Sequence, residues 1–286
     1  MTNSLNADGF TLLPGFLRKQ SLLSARKNLA QYYPTPAELR ASPEKFAGIL
    51  DEIDNLKHEF PFTGDVLNDL ATSPKIVSLV GGLLGTADLR LSQAAVWAKY
   101  AGFGTDYEQD LHADYEGNTL VIPRDDGDFR QVNLIVYLTD VSADLGPTRV
   151  VPLRYTHKDS LWPPWRSRED YPNLYRHERP ILARAGDVLV FGMTLFHRAS
   201  PIVASDGWRL SLHLVYRAAA HDFQGYHHWP RHGENPHLSR FITRATPAQR
   251  ALLGFPAPGN RYWNPHTLDE VSNRYPGIDL SPYRAV

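Results

Sequence analysis

The sequence predicts an α+β protein with a jelly-roll core and bracing helices at its amino-terminal end. Short apolar and β-branched runs recur between residues 89 and 216, with glycine and proline turns between them. This pattern is typical of antiparallel sandwiches and barrels. The stretch before residue 85 differs, because a capping residue precedes proline three times: Thr35-Pro36, Ser42-Pro43 and Ser73-Pro74. Such pairs mark helix starts, so helices should precede the sheet.

We expect a single domain over residues 1–286. Its parts are a helical segment (1–85), the jelly-roll core (86–220) and an extended, proline-rich wrap (221–286). Within the core, residues 153–180 form a long connection rich in tryptophan and proline, and such connections are often lids. Trp162 and Trp165 are therefore candidate substrate contacts, with a packed loop as the alternative.

Hydrophobic periodicity predicts several individual helices. Residues 21–32 have the spacing of an amphipathic helix. The helix that begins at Ser73 should end near Gly81-Gly82 or Gly85, and Thr246 should cap another short helix. The apolar turn at residues 60–62 fits the core better than a cavity mouth.

Two predicted strands near the end of the core are the most informative. Residues 187–191 form a short apolar run, and residues 208–216 alternate with a period of two. Alternation places Arg209, Ser211 and His213 on one face and aliphatic side chains on the other. A buried arginine needs a negatively charged partner, so we expect this face to line a cavity that binds an anion.

The sequence also contains a candidate set of metal ligands. His112-Ala113-Asp114 is a His-x-Asp tripeptide, and His197 follows 85 residues later. In extended backbone residues i and i+2 point the same way, so His112 and Asp114 can bind one ion. Two histidines and one carboxylate form the facial triad of non-haem Fe(II) oxygenases, which leaves positions open for a co-substrate and O₂.

Arg209 indicates which co-substrate this would be. It follows His197 by 12 residues and could form a bidentate pair with the distal carboxylate of 2-oxoglutarate. Ser211, on the same face, could add a hydrogen bond.

Other histidines are weaker candidates. His157-Lys158-Asp159 is a second His-x-Asp tripeptide, but only 40 residues separate it from His197 and a lysine stands between its candidate ligands. His227, His228 and His232 form a cluster without a carboxylate at helix or strand spacing, so a second metal site is disfavoured there.

Two further strands could present polar side chains to the same cavity. In the first, Gln93, Trp97 and Lys99 share a face with Leu91. We expect Lys99 near the co-substrate and Gln93 and Trp97 near the substrate, with a solvent-facing strand as the alternative. In the second strand, over residues 131–138, Asn133 and Tyr137 could donate to a bound carboxylate or keto oxygen, although Tyr137 could simply pack.

These features resemble the phytanoyl-CoA dioxygenase family of Fe(II)/2-oxoglutarate-dependent oxygenases. The resemblance spans about residues 7–217 and rests on three segments: the opening DGFTLLPGFL at 8–17, the stretch from Tyr137 through the Gly146-Pro147 turn to Thr156-His157-Lys158, and the run GDVLVF at 186–191 with His197 and Arg209. It implies a double-stranded β-helix, metal ligation by His112, Asp114 and His197, and 2-oxoglutarate binding by Arg209. It also assigns His157 to a structural segment.

The sequence departs from the family pattern at two places. Arg154-Tyr155-Thr156 stands where the family often has Gly-Ser before a His-Lys pair. Ala199, followed by Ser200, stands where the family often has a serine two residues after the distal histidine. Both departures concern secondary contacts of the co-substrate.

The resemblance implies a dioxygenase that hydroxylates a C–H bond of a small organic substrate with Fe(II), 2-oxoglutarate and O₂. Asp114 favours hydroxylation, desaturation or another oxygenase outcome, because related halogenases carry a small residue at that position. Two alternatives stay open. One is a metal-dependent jelly-roll isomerase or hydrolase without 2-oxoglutarate, and the other is an inactive binding protein with the same fold.

Composition disfavours several other classes of function. The 30 basic residues balance 31 acidic ones, so nothing indicates nucleic-acid binding. The absence of cysteine excludes disulfides, thiolate metal sites and a cysteine nucleophile. No run approaches the ~18 apolar residues of a membrane span, and no secretory signal is recognisable. We therefore expect a cytoplasmic enzyme, with no indication of its oligomeric state.

Overall fold

Two antiparallel sheets form the centre of the fold in this computed structural model. It describes Leu5 and residues 8–50, 56–102, 107–115, 117–121, 131–156, 159–221, 229–232 and 235–284. His157, His227 and His228 lie outside the described residues.

The bounds of the elements are as follows. The strands are β1 (Phe10–Leu13), β2 (Lys57–Glu59), β3 (Leu89–Tyr100), β4 (Leu111–His112), β5 (Gln131–Tyr137), β6 (Arg149–Val150), β7 (Trp165–Arg166), β8 (Arg179–Pro180), β9 (Val188–Gly192), β10 (His197–Arg198) and β11 (Trp208–Ala218). The α-helices are α1 (Lys19–Leu29), α2 (Pro36–Ala41), α3 (Ala47–Leu50), α4 (Val66–Ala71), α5 (Pro74–Leu84), α6 (Pro172–Arg176), α7 (Pro236–Arg244), α8 (Pro247–Leu252) and α9 (Pro265–Arg274).

The larger sheet has the strand order β1-β9-β5-β11-β3-β2 and the smaller sheet β7-β4-β10-β6-β8. Leu189 and Phe191 of the larger sheet and Val150 of the smaller one pack in a single buried cluster, so the two sheets face each other. Edge strands stay open on both sheets instead of closing a barrel. This arrangement confirms the predicted α+β jelly roll with a double-stranded β-helix core.

The outer face of the larger sheet packs against helices, as the alternation in residues 208–216 predicts. Leu210, Leu212 and Leu214 are fully buried in the main core together with side chains from α1, α4 and α5. α5 ends at Gly85, whose backbone adopts a left-handed conformation with φ of 68°. Phe60 and Phe62 belong to this core, as expected.

The amino-terminal part is less purely helical than predicted. β1 and β2 form the two edges of the larger sheet, where they pair with β9 and β3. A four-residue or three-residue edge strand carries too short an alternation to be distinguished from a loop by periodicity. The family-like opening is fixed to β9 because the N–H of Gly15 donates to Asp187 Oδ1 at 2.7 Å.

The carboxyl-terminal part also differs from the expected extended wrap. The predicted helix capped by Thr246 is confirmed as α8, but α7 and α9 are helical as well. Asn264 caps α9, and Pro265 occupies its first turn, where a proline favours a helix. In the described part of the chain, no helix is long and apolar enough to span a bilayer.

Residues 153–180 contain regular structure where a single long connection was expected. β7 pairs with β4, and β8 pairs with β6, so the segment adds both edge strands of the smaller sheet. The buried hydroxyl of Tyr175 in α6 accepts a hydrogen bond from the N–H of Leu111 at 3.0 Å and lies 2.8 Å from the carbonyl oxygen of Arg166. Tyr175 therefore ties this segment to the strand that carries His112.

Candidate metal and co-substrate site

His112 and His197 lie opposite each other on neighbouring strands. They are direct register partners in the antiparallel pair β4–β10, and their ring centroids are 4.5 Å apart. Asp114 follows His112 by two residues, so its side chain points to the same side. One strand pairing thus brings together two histidines that are 85 positions apart in the sequence.

The three side chains form a cluster that could hold a metal ion. One ligand atom from each of His112, Asp114 and His197 lies within 4.8 Å of the other two. Nε2 of His112 is 3.6 Å from Oδ1 of Asp114, and Nε2 of His197 is 3.6 Å from Oδ2. Ligands bound about 2.1 Å from one ion lie roughly 3–4 Å apart, so this spacing fits a bound metal.

The other nitrogen of each imidazole is occupied by the backbone. Nδ1 of His112 lies 3.0 Å from the carbonyl oxygen of Asp110, and Nδ1 of His197 lies 3.0 Å from that of Leu195. A carbonyl only accepts hydrogen bonds, so each Nδ1 carries the proton and each Nε2 keeps its lone pair for a metal. Burial, with a smaller contribution from the neighbouring His197, lowers the pKa of His112 to about 4, which keeps its imidazole neutral near pH 7.

Residues around the cluster fix its orientation. The amide nitrogen Nδ2 of Asn133 donates to Oδ2 of Asp114 at 2.9 Å. The indole of Trp165 stacks on the His112 ring at 4.3 Å with an interplanar angle of 15°. Phe191 meets the His197 ring edge-on at 4.7 Å. Hydrogen bonds and ring contacts of this kind orient metal ligands.

A cavity of about 160 Å³ adjoins the cluster. The side chains of all three candidate ligands line this cavity, and the inner face of the larger sheet forms its other wall. Residues of β3, β5 and β11 that line it are Gln93, Trp97, Lys99, Asn133, Ile135, Arg209, His213 and Val215. On all three strands, these positions lie on the face that alternation predicts to line the cavity.

Leu91 is an exception, because it lies in the main core with the helices. The pairing of β3 with β11 shifts between Val215 and Tyr216, so that Val215 faces Gln93 and Tyr216 faces Leu91. This β-bulge adds one residue to β3 and reverses its alternation. Simple period-two counting placed Leu91 on the wrong face for that reason.

Arg209 lies at one end of the cavity and is 6% exposed. Its guanidinium Nη1 donates to the carbonyl oxygen of Gly146, in the turn that resembles the family. Its register partner on β3 is Lys99. A buried guanidinium facing a cavity near the metal cluster fits the carboxylate of a co-substrate.

Lys99, Tyr137 and Ser211 make contacts within the protein. Nζ of Lys99 donates to the carbonyl oxygens of Tyr107 and Ser200 at 2.7 and 2.9 Å. Burial raises the pKa of Tyr137 to about 12, and its hydroxyl donates to Thr148 Oγ1 at 3.3 Å. Neither Tyr137 nor Ser211 lines the cavity, whereas Lys99 does.

The two tryptophans of residues 153–180 differ in position. Trp165 covers His112 and is 48% exposed, whereas Trp162 is 66% exposed. Neither lines the cavity. At the family departure, Ala199 lines the cavity and the hydroxyl of Ser200 donates to the carbonyl oxygen of Pro147 at 2.6 Å.

His213 was placed on the correct face by the sequence but was not singled out as a site residue. It lines the cavity four residues after Arg209, and its Nε2 lies 2.9 Å from Ser211 Oγ. Burial, reinforced by the positive charge of Arg209, lowers its pKa to about 3. A neutral imidazole therefore lies between the arginine and the polar end of the cavity.

A buried ion pair next to His197 was also missed. The guanidinium of Arg198, 3% exposed, donates through Nε and Nη2 to the two carboxylate oxygens of Glu178 and through Nη1 to Glu108. These partners are 20 and 90 residues away, and no local pattern links them.

A double-stranded β-helix with a two-histidine, one-carboxylate cluster and a buried arginine in the same cavity defines the class of iron- and 2-oxoglutarate-dependent enzymes. Residues 5–211 match the phytanoyl-CoA dioxygenase (PhyH) family, and the chain belongs to this family. Iron and 2-oxoglutarate are therefore its cofactor and co-substrate.

Solved structures with the same fold are distant in sequence. The epimerase SnoN in complex with Fe³⁺, α-ketoglutarate and nogalamycin RO is 21% identical over 74% of this chain and 80% of that one, with a TM-score of 0.51. HygX from Streptomyces hygroscopicus with nickel and 2-oxoglutarate is 17% identical over 75% and 85%, with a TM-score of 0.54. The carbocyclase SnoK is 18% identical over 74% and 81%, with a TM-score of 0.55. Among curated proteins, nothing matches this chain.

Proposed function

We propose that this protein is an oxygenase that hydroxylates a C–H bond of a small organic molecule. The observation that supports this most directly is the shared cavity of the His112, Asp114 and His197 cluster and Arg209. His112, Asp114 and His197 would hold the iron, and Arg209 would pair with the distal carboxylate of 2-oxoglutarate. In the net reaction one oxygen atom of O₂ enters the product hydroxyl, and the other enters succinate as CO₂ leaves.

Iron and 2-oxoglutarate supply the oxidising chemistry when they are bound. The protein holds the ligand imidazoles in one tautomer through the carbonyl oxygens of Asp110 and Leu195. Trp165 and Phe191 shield two faces of the ligand rings, which limits access of water to the site. We also propose that the segment around Trp165 acts as a lid over the substrate.

The carboxylate of Asp114 favours hydroxylation, desaturation or another oxygenase outcome over halogenation, because it occupies the position that a halide would need. Structural neighbours include an epimerase and a carbocyclase, and one HygX structure contains hygromycin B. They support a small-molecule substrate for this chain, and product analysis by mass spectrometry would distinguish a gain of one oxygen atom from these other outcomes.

The first test is an anaerobic titration of the Fe(II)-loaded protein with 2-oxoglutarate. We expect the visible charge-transfer band of a chelated keto acid in the wild type. Asp114→Ala, which removes the carboxylate ligand, should lose 2-oxoglutarate-dependent hydroxylation. Asp269→Ala, at an exposed position on α9, is the matched control and should behave like the wild type. A wild-type protein that binds iron but gives no band would instead favour a metal-dependent isomerase or hydrolase.

A further inference from the structure

At the end of the cavity away from Arg209, the Gln93 amide and the amide oxygen of Asn133 have no assigned role in holding the metal or the co-substrate. In the sheet register Gln93 of β3, Val215 of β11 and Asn133 of β5 lie side by side in one row, and all three line the cavity. Adjacent strands are about 4.8 Å apart, so the Cα atoms of Gln93 and Asn133 lie about 10 Å apart across the row. Arg209 lies six residues along β11 from Val215, which is about 20 Å.

Asn133 has a hydrogen-bond acceptor without a partner. Its Nδ2 donates to Asp114 Oδ2 at 2.9 Å, and because a carboxylate only accepts, this contact fixes which end of the amide is oxygen. The oxygen Oδ1 is buried and has no hydrogen-bond partner in the protein, and the residue is 3% exposed. Buried polar atoms are nearly always paired, and this one belongs to a residue that lines the cavity. A ligand beside the metal cluster could therefore donate a hydrogen bond to it.

Gln93 presents a second carboxamide to the same end. It is half-buried, and its side chain makes no hydrogen bond to the described residues. Four residues further along β3, about 13 Å away, Trp97 lines the cavity and offers an apolar ring surface. No charged side chain belongs to the row formed by Gln93, Val215 and Asn133.

From these contacts we propose that Asn133 and Gln93 select the substrate, which is a saturated ring bearing hydroxyl or amino groups. A hydroxyl or amine next to the oxidised carbon donates to Asn133 Oδ1, and a second polar group on the ring reaches the Gln93 amide. The apolar edge of the ring packs on Val215, which lies between the two amides and lines the cavity. An acyl chain would leave both carboxamides unpaired, and a site with unpaired polar groups discriminates strongly against such a ligand.

This proposal rests on the proposed function and is tested with the iron- and 2-oxoglutarate-loaded protein. Two libraries serve as probes: cyclitols, amino sugars and their glycosides, and fatty acids, acyl-CoA thioesters and terpenes of similar size. Binding is measured under argon as a shift of the charge-transfer band, and turnover as succinate released above the substrate-free rate. We expect binding and turnover from the first library, and a loss of at least about tenfold in kcat/KM when the hydroxyl or amino group of a hit is removed.

Two variants test whether Gln93 and Asn133 cause the preference for a hydroxyl or amino group on the substrate. In Gln93→Leu and Asn133→Leu, the kcat/KM ratio between the hit and its deoxy or deamino analogue should fall to about threefold or less. A residue that only supports the fold would lower both substrates equally and leave the ratio unchanged. In the described part of the chain Gln93 makes no hydrogen bond to a metal ligand, so Gln93→Leu carries the test if Asn133→Leu binds iron poorly. Gln131→Leu is the matched control, because Gln131 is a buried carboxamide on β5 that does not line the cavity.

The outcomes separate this inference from the proposed function. Absence of the charge-transfer band in the wild type would overturn the proposed function. If the band forms but hits come only from the second library or from neither, the substrate assignment is wrong. An unchanged ratio in Gln93→Leu would likewise overturn it.

Discussion

At the scale of single residues, the candidate metal ligands are held in place by hydrogen bonds within the protein. The Nδ1–H of each ligand imidazole donates to a backbone carbonyl oxygen, and Asn133 donates to Asp114. The ligand lone pairs are therefore oriented by the protein itself, which lowers the reorganisation needed when a metal binds. Arg209 is the residue whose role is tested most simply.

Arg209→Met should weaken 2-oxoglutarate binding without preventing iron binding. A charge-assisted hydrogen bond contributes about 1.5–3 kcal/mol, so the Kd for 2-oxoglutarate should rise by about 10- to 150-fold. The measurement is the anaerobic titration followed by its charge-transfer band. Arg90→Met is the control, because Arg90 pairs with Asp88 at the far end of β3. An unchanged Kd in Arg209→Met would rule out the assigned partner.

At the scale of elements, the smaller sheet is built from strands of two residues, so contacts between side chains must hold it together. β4 contributes His112, and β10 contributes His197, yet each is only two residues long. Such short strands bring few backbone hydrogen bonds. Tyr175 and the Arg198–Glu178 pair supply the additional contacts.

Tyr175→Phe should destabilise the metal-bearing strand. The substitution leaves the N–H of Leu111 and the carbonyl of Arg166 without their shared hydroxyl, which costs about 1–2 kcal/mol of unfolding free energy. Urea unfolding measures this loss, and iron retention during dialysis should fall in parallel. Tyr262→Phe, at an exposed tyrosine, should change neither. A fully stable Tyr175→Phe variant would show that this hydroxyl does not support β4.

Removing one member of the buried ion pair should be more damaging than removing both. Glu178→Leu leaves a buried guanidinium with the half-exposed Glu108 as its remaining carboxylate partner, and unpaired buried charges cost about 3–5 kcal/mol. The double variant Arg198→Met/Glu178→Leu should recover part of that loss. Arg168→Ala breaks the exposed pair with Glu108 and should cost less than about 1 kcal/mol. Denaturant unfolding of the wild type, Arg198→Met, Glu178→Leu and the double variant gives the coupling, and strictly additive losses would contradict it.

At the scale of the whole molecule, the buried histidines make stability depend on pH. The pKa of His112 is lowered to about 4 and that of His213 to about 3, whereas a histidine in the unfolded chain titrates near 6.5. Below about pH 6.5 the unfolded chain takes up protons that the folded chain does not. The free energy of unfolding should therefore be highest above pH 6.5 and fall as the pH drops toward 4.

His213→Leu should flatten this pH dependence in the metal-free protein. Between pH 7 and pH 5 a buried neutral histidine lowers stability by about 2 kcal/mol, and the variant should lack that share. Urea unfolding at the two pH values provides the measurement. His266→Leu, at an exposed position in α9, controls for loss of a surface histidine. Equal slopes in wild type and His213→Leu would mean that His213 does not stay neutral in the fold.

Much of the fold and the candidate site could be predicted from sequence, because both follow from short-range rules. Alternation assigned the inner and outer faces of residues 208–216, and capping pairs located α2, α5 and α8. Two-residue spacing linked His112 to Asp114. Spacing failed at the β-bulge opposite Val215, where one additional residue moved Leu91 to the other face. It also missed β1 and β2, which are too short to show a period.

By itself, the sequence determined which residue types face the cavity and which could bind a metal, because side-chain direction depends on the nearest neighbours along a strand. Only the tertiary structure decided which partners those residues meet. The pairing of β4 with β10, the contact of Asn133 with Asp114 and the ion pair of Arg198 with Glu178 each join positions separated by 19 to 85 residues. Such contacts depend on how the whole chain packs, and so do the unpaired oxygen of Asn133 and the substrate that it selects.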